Sequence, residues 1–201
     1  QYGEILRLSG SAHKIINILV TLSYDKTDQL AWRSMEAAGL ITKEIAKTHP
    51  DIVRNIVGRL LWMMRDESGG IAWSAPEILG EIVRNNPELC ADIAPILVSF
   101  HDEKMLTAGV LRAIGRIGSI NSETTGYAIP TIYPYLDSSD NAIRGYAIFA
   151  LGSLDAIGAI PMLERLRNDN NSIDYYEDGE LNKKTIGTIA EEALVKLNKY
   201  D

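Results

Sequence analysis

Ala31-Trp32-Arg33-Ser34-Met35-Glu36-Ala37-Ala38-Gly39-Leu40-Ile41 returns 41 residues later as Ala72-Trp73-Ser74-Ala75-Pro76-Glu77-Ile78-Leu79-Gly80-Glu81-Ile82. The two stretches share A-W-x-x-x-E-x-x-G-x-I. The glycine carries on at Gly115, inside Leu111 to Ile117, and at Gly152, inside Phe149 to Leu154, after steps of 35 and 37. A fifth copy, Ala193-Leu194-Val195-Lys196-Leu197, puts valine in the glycine position after a step of 43, lengthened by the polar insert Asn168 to Glu180. A second series is independent of the first: Pro95-Ile96-Leu97, Pro130-Thr131-Ile132 and Pro161-Met162-Leu163, at steps of 35 and 31. Ile15 to Leu19 followed by Asp25 also aligns with Ile56 to Leu60 followed by Asp66, so the N-terminal stretch reads as the second helix of a truncated copy. Self-similarity at a period of 20–50 residues is the signature of a repeat array.

Each copy reads as a pair of helices. Ile71, Ala75, Ile78, Leu79, Ile82 and Val83 follow the i, i+3/i+4 rhythm of an amphipathic helix. Asn85-Asn86-Pro87 interrupts it, and Leu89 to Phe100 supplies the partner helix. Proline suits the first turn of a helix, where its missing N–H costs nothing. A helical glycine gives up about 1 kcal/mol against alanine, so the glycine column predicts close helix packing that compensates. Strand signals read as weak, with few alternating runs, two Phe and no paired turn dipeptide of the Asn-Gly kind taken from the sequence.

The segment Asn141-Ala142-Ile143-Arg144-Gly145-Tyr146-Ala147-Ile148-Phe149-Ala150-Leu151-Gly152, continuing to Ala159-Ile160-Pro161-Met162-Leu163, resembles the short HEAT-like repeats of the phycobilisome-lyase type. That family's pattern runs Asp/Asn, Val/Ile-Arg, Ala-x-x-Ala-Leu-Gly, then Ala-Ile-Pro-x-Leu. The resemblance implies an all-α fold, an armadillo/HEAT-like α-solenoid of about five antiparallel helical pairs. As one domain over 1–201, it divides into a partial copy 1–27, repeats 28–65, 66–101, 102–137 and 138–170, and a C-terminal cap 171–201. The repeats are packing motifs shared by scaffolds, lyases and adaptors, so the resemblance speaks to architecture and not to chemistry.

Composition limits the function classes. The 201 residues carry 20 Lys+Arg against 27 Asp+Glu, a net charge of −7, with 46% hydrophobic and 23% charged residues. This is a globular composition. The longest uncharged stretch, Thr124 to Leu136, has 13 residues, fewer than the roughly 20 a membrane-spanning helix needs. With no secretory segment in the sequence, which opens on Gln1, the expected compartment is the cytoplasm. The single cysteine, Cys90, excludes an internal disulfide and a cysteine-based zinc cluster. The acidic balance argues against nucleic acid, which needs a basic face. Arg54, Arg59, Arg65, Arg112 and Arg116 are the residues that could build one.

Three features are candidate partner-binding elements. The loop Arg65 to Trp73 joins Asp66, Glu67 and Ser68 to Gly69-Gly70, with Trp62 and Trp73 as walls; turn chemistry explains most of these residues as an inter-repeat turn with glycines and a helix cap. In repeat register Glu36, Glu77 and Arg112 share one position, and Leu40, Glu81 and Arg116 the one four residues on. Glu77 is therefore predicted to meet Arg112 and Glu81 to meet Arg116, as a charged groove or as an ion-pair ladder between repeats. The insert Asn168 to Glu180 reads as a solvated loop whose Tyr175 and Tyr176 could anchor a partner.

Catalytic and metal constellations are thin. His13, His49 and His101 show none of the His-Glu dyads of HEAT-repeat di-iron hydroxylases, and no G-x-S-x-G, P-loop, G-x-G-x-x-G or H-E-x-x-H occurs. Cys90, between Glu88 and Asp92, reads as an inert thiol. No catalytic residue, metal or cofactor is expected. The leading expectation is a protein-interaction scaffold with a curved face, placed on the second helices Asp51–Met64, Leu89–Phe100, Ile129–Leu136 and Pro161–Arg167, and with a homo-oligomer left open. A bilin-lyase-like enzyme and a HEAT-like DNA-repair solenoid are the alternatives, each resting on the resemblance. The acidic surplus favours a basic or polar partner.

Overall fold

The computed structural model describes residues 12–65 and 72–198. Asp66, Glu67 and Ser68 lie outside the described residues. The chain is mostly helical and carries one two-stranded antiparallel sheet, so the all-α expectation needs a correction at the C-terminal insert.

Helix α1 spans Ala12–Leu22, α2 Gln29–Ala46, α3 Pro50–Arg65, α4 Ala75–Asn85, α5 Ile93–Val98 and α6 Thr107–Gly118. After these come α7 (Ile129–Ile132, continued as 3-10 turns through Asp137), α8 (Asn141–Ser153) and α9 (Ile160–Leu166). Strands β1 (Ser172–Glu177) and β2 (Glu180–Thr185) precede α10 (Ile186–Leu197). The starts are chemically marked. Asp28 accepts a hydrogen bond from the Leu30 amide at 2.8 Å, and Asp140 accepts from the Ala142 and Ile143 amides. Such caps satisfy N–H groups that have no partner within the helix. Pro130 and Pro161 sit in the first turns of α7 and α9.

The even-numbered helices pack in chain order: α2 on α4, α4 on α6, α6 on α8, and α8 on α10. The glycine column explains how closely they approach. A Cβ built on Gly80 would stand 2.6 Å from Ala113 Cβ, and one on Gly152 would stand 2.7 Å from Ala193 Cβ. Gly39 faces the Glu81 carbonyl and Gly115 faces Phe149 in the same way. In each case the glycine of one helix receives the backbone or side chain of the next. The odd-numbered helices pack chiefly on their even-numbered neighbours, and the buried apolar residues run as one cluster from Ile15 to Leu197. No described helix is long and apolar enough to cross a membrane.

The insert is a hairpin and not a solvated loop. β1 and β2 pair in register from Ser172 opposite Thr185 to Glu177 opposite Glu180. Asp178 and Gly179 make the two-residue turn, with φ of 52° and 83°. Asp-Gly suits such a turn because both central residues need positive φ, which matches the right-handed twist of the strands. Ile173 and Tyr175 share one face of β1 and are buried, while Tyr176 is buried on the other. β1 packs on α8, and β2 touches both α2 and α10. The hairpin thus reaches from the last even helix back to the first.

The base of the hairpin is fixed by Asp169. Its carboxylate bonds the Arg144 guanidinium at 3.0 Å and accepts from the Asn171 amide at 2.9 Å, while its carbonyl accepts from the Gly187 amide. Burial pushes the Asp169 carboxyl up, but the bonds from Asn171 and Arg144 outweigh it and the pKa lies below the usual value. A depressed carboxyl stabilises the fold above its unfolded pKa of about 4 and loses that contribution as pH falls through the folded value. Asp169→Asn is therefore expected to flatten the fall in stability below about pH 4, measured as urea midpoints across pH, with little change in slope near neutrality.

Candidate functional site

The hairpin lies in a trough floored by α2, α6 and α8. Tyr176 stacks on Trp32, with ring centroids 6.0 Å apart and planes 14° from parallel, and its hydroxyl donates to Glu36 Oε2 at 2.8 Å. The Arg112 guanidinium lies 4.7 Å from the Trp32 ring, 5.7 Å from Tyr146 and 5.9 Å from Tyr176. Its Nη1 donates to the Tyr176 carbonyl at 3.5 Å. A guanidinium over ring faces is attracted by their quadrupoles, more strongly where water is excluded, and Arg112 is only 5% exposed. At the hairpin tip the Gly179 carbonyl accepts from Gln29 Nε2 and Arg33 Nε, both at 2.9 Å. Successive strand residues face opposite ways, so Tyr175 serves the other side. It stacks on Tyr146, meets Phe149 edge-on and carries the Lys184 ammonium 4.5 Å from its ring. Burial pushes both hairpin phenols up and that of Tyr146 to about 12, so the rings stay neutral near pH 7.

The charged positions divide. Glu81 and Arg116 meet, with Nε to Oε1 at 2.5 Å and Nη2 to Oε2 at 3.1 Å, and Glu36 stands 3.9 Å from the same guanidinium. Glu77 and Arg112 form no ion pair, contrary to the register argument. Lys26, in the loop before α2, takes Glu77 Oε1 at 2.6 Å and the Trp73 carbonyl at 2.6 Å, while Arg112 is held among the rings. Glu77 is 4% exposed and its Oε2 has no hydrogen-bond partner. Gly109 makes room for this carboxylate, since a Cβ there would lie 2.6 Å from Oε2.

Tyr175 and Tyr176 are 4% and 5% exposed, so they anchor the chain's own hairpin and not an open loop. Trp73 is half exposed, and Trp62, projecting from α3, is 65% exposed. Cys90 is fully buried, and burial pushes its thiol up. The His101 ring bonds the Tyr135 hydroxyl at 2.8 Å. Among the described residues, no group of three His, Cys, Asp or Glu side chains is placed to hold a metal. Tyr146, Gln29 and Arg33 complete the trough beyond the residues singled out from sequence. The Asp178-Gly179 pair was the signal for the hairpin that gathers them.

No family model matches the sequence. An uncharacterised protein of Archaeoglobus fulgidus is 28% identical over 166 residues, covering 81% of this chain and 86% of that protein. Two engineered proteins whose crystal structures were solved by the Northeast Structural Genomics Consortium are similar in fold. One superposes with a TM-score of 0.55 at 18% identity, covering 92% of this chain and 79% of the other. The second has a TM-score of 0.54 at 16% identity, covering 91% and 47%.

Proposed function

We propose that the chain is a HEAT-like α-solenoid that works as a non-catalytic protein-interaction scaffold in the cytoplasm, with the trough on the even helices as its partner-binding face. The observation that carries this reading is the hairpin itself: the trough already holds an extended segment, through an aromatic stack, a carboxylate and donors aimed at main-chain carbonyls. Extended segments are recognised by this combination of main-chain and side-chain contacts. The chain-order packing of the even helices and their glycine column support the solenoid, in which each unit rests on its neighbours. On this reading the face lies on the first helices of the pairs and not on the second.

The alternatives draw less support. Of the arginines a nucleic-acid face would need, Arg54 is paired with Asp92, Arg116 with Glu81, and Arg112 is buried among rings. The broad depression beside α10, about 620 Å³, is lined by Glu164, Glu177, Glu191 and Glu192, which pair with Arg167 and Lys184, and by Lys196, a solvated charged lining with few apolar side chains for a tetrapyrrole.

The test is affinity capture from native lysate with the wild type and an Arg33→Glu variant, which changes the exposed side chain that holds the Gly179 carbonyl in the trough. A partner held by the wild type and lost by the folded variant is the expected result. Equal recovery of every interactor by both would remove the trough from the binding face.

A further inference from the structure

The hairpin has two unequal halves. Its base is tied into the helices by the Asp169 bonds, by the Ile186 amide on the Asn171 carbonyl at 2.8 Å, and by buried Ile173 and Tyr175. Its tip is held by α2, across 140 to 150 residues of sequence, and by Arg112 of α6, which reaches the Tyr176 carbonyl across 64. Gln29 and Arg33 both hold one carbonyl, that of Gly179. The Glu177, Asp178 and Glu180 side chains face solvent. Lifting the tip about Tyr175 would leave the helices and the hairpin base in place. It would uncover Trp32, Glu36 and Arg33, and would free Arg112 from the Tyr176 carbonyl.

Resting on the scaffold reading above, we infer that this part of the trough is a binding surface for an extended, tyrosine-bearing polypeptide segment of a partner, and that the chain's own hairpin tip is its resident occupant. The chemistry of the occupant is written in the contacts. A phenol ring lies on Trp32 and gives its hydroxyl to Glu36, its own carbonyl faces Arg112, and a carbonyl three residues further on meets Gln29 and Arg33. The two ends of this arrangement discriminate differently. Carbonyl contacts accept any residue, whereas the Glu36 carboxylate favours a ring that brings a hydroxyl donor over one that does not. Because the tip is tethered, it competes at an effective concentration of about millimolar or more, so a free segment must displace it.

The probe is a fluorescein-labelled linear peptide spanning Ile173 to Asn182, titrated by anisotropy into the wild-type chain and into a Tyr176→Ala chain. The vacated chain is expected to bind it roughly ten-fold or more tightly than the wild type, and a peptide with alanine at the tyrosine position is expected to lose that gain. Tyr176→Phe, which keeps the ring on Trp32 and removes only the hydroxyl bond to Glu36, loosens the tip without vacating it and should show a smaller gain if Tyr176→Ala does not fold by circular dichroism. Equal binding to wild-type and vacated chains, binding to none of them, or binding independent of the peptide's tyrosine would overturn the inference. A peptide that binds as expected beside a lysate capture without an Arg33-dependent partner would retain the peptide site and discard the scaffold reading. The converse pair of results would discard this segment alone.

Discussion

Gly80→Ala is expected to lower the melting temperature by roughly 4–8 °C, while Gly58→Ala raises it by roughly 2–4 °C, for a domain of this size. Both glycines lie inside helices, so both substitutions gain about 1 kcal/mol of helix propensity. What differs is the neighbour. Gly58 is on the outer side of α3, where a new Cβ meets nothing within 4 Å. At Gly80 the new Cβ would lie 2.6 Å from Ala113 Cβ and 2.8 Å from Ala113 Cα. No flexible side chain can yield there, so α4 and α6 must separate. Overpacking of a tight core costs about 1–3 kcal/mol, and a helix-on-helix contact with backbone on one side belongs at the upper end. Because α4 also carries α2 and α6 carries α8, the displacement acts on the whole stack. Ala113→Gly in the Gly80→Ala background should recover part of the loss, and differential scanning calorimetry of the four chains closes the cycle. Equal shifts at Gly58 and Gly80 would mean that the glycine column is not a packing column.

That column was readable without coordinates because its cause is local and repeated: a residue without a side chain, at one phase of a helix, in copy after copy. Glu81–Arg116 was readable for the same reason, since adjacent helices in register bring equivalent positions together. Glu77 and Arg112 hold equivalent positions too, yet they do not pair. Their partners come from outside the repeat, Lys26 from a loop and the rings of Trp32, Tyr146 and Tyr176 from other elements. A contact spanning 64 residues between Arg112 and Tyr176, or 140 between Glu36 and Tyr176, leaves no trace in a period of about 35–41. The hairpin itself was half legible. Asp178-Gly179 with Ile173 and Tyr175 alternating is a strand–turn signal, but Asn168 to Ser172 and the flanking acids gave the whole insert the composition of a loop. What composition hides is the burial of Tyr175 and Tyr176, because the surface that buries them belongs to helices distant in sequence.

Arg116→Met is expected to cost about 2–3 kcal/mol, whereas Glu81→Leu/Arg116→Met should lie within about 1 kcal/mol of the wild type, both read from urea unfolding. Glu81 is 4% exposed, and Arg116 supplies two of its hydrogen bonds. Burial alone would push the Arg116 guanidinium down, but the bonds to Glu81 and the nearby Glu36 more than offset this, so the arginine stays charged. Removing it leaves a buried carboxylate with Arg84 Nη1 at 3.4 Å as its remaining cation. A buried charge stripped of its partner usually costs about 3–5 kcal/mol. The value here is lower because Arg84 remains and the Arg116 side chain is 23% exposed. The double variant removes both charges and replaces them with apolar groups of similar bulk, which often restores stability. The two results together separate two roles for the pair. A costly single and a mild double variant mean that the pair fixes the register of α4 against α6 by penalising misalignment, with little net stabilisation. A single variant costing under about 0.5 kcal/mol would instead class the bridge with exposed ion pairs, whose contribution is near zero. The register of the even helices would then rest on the glycine contacts alone.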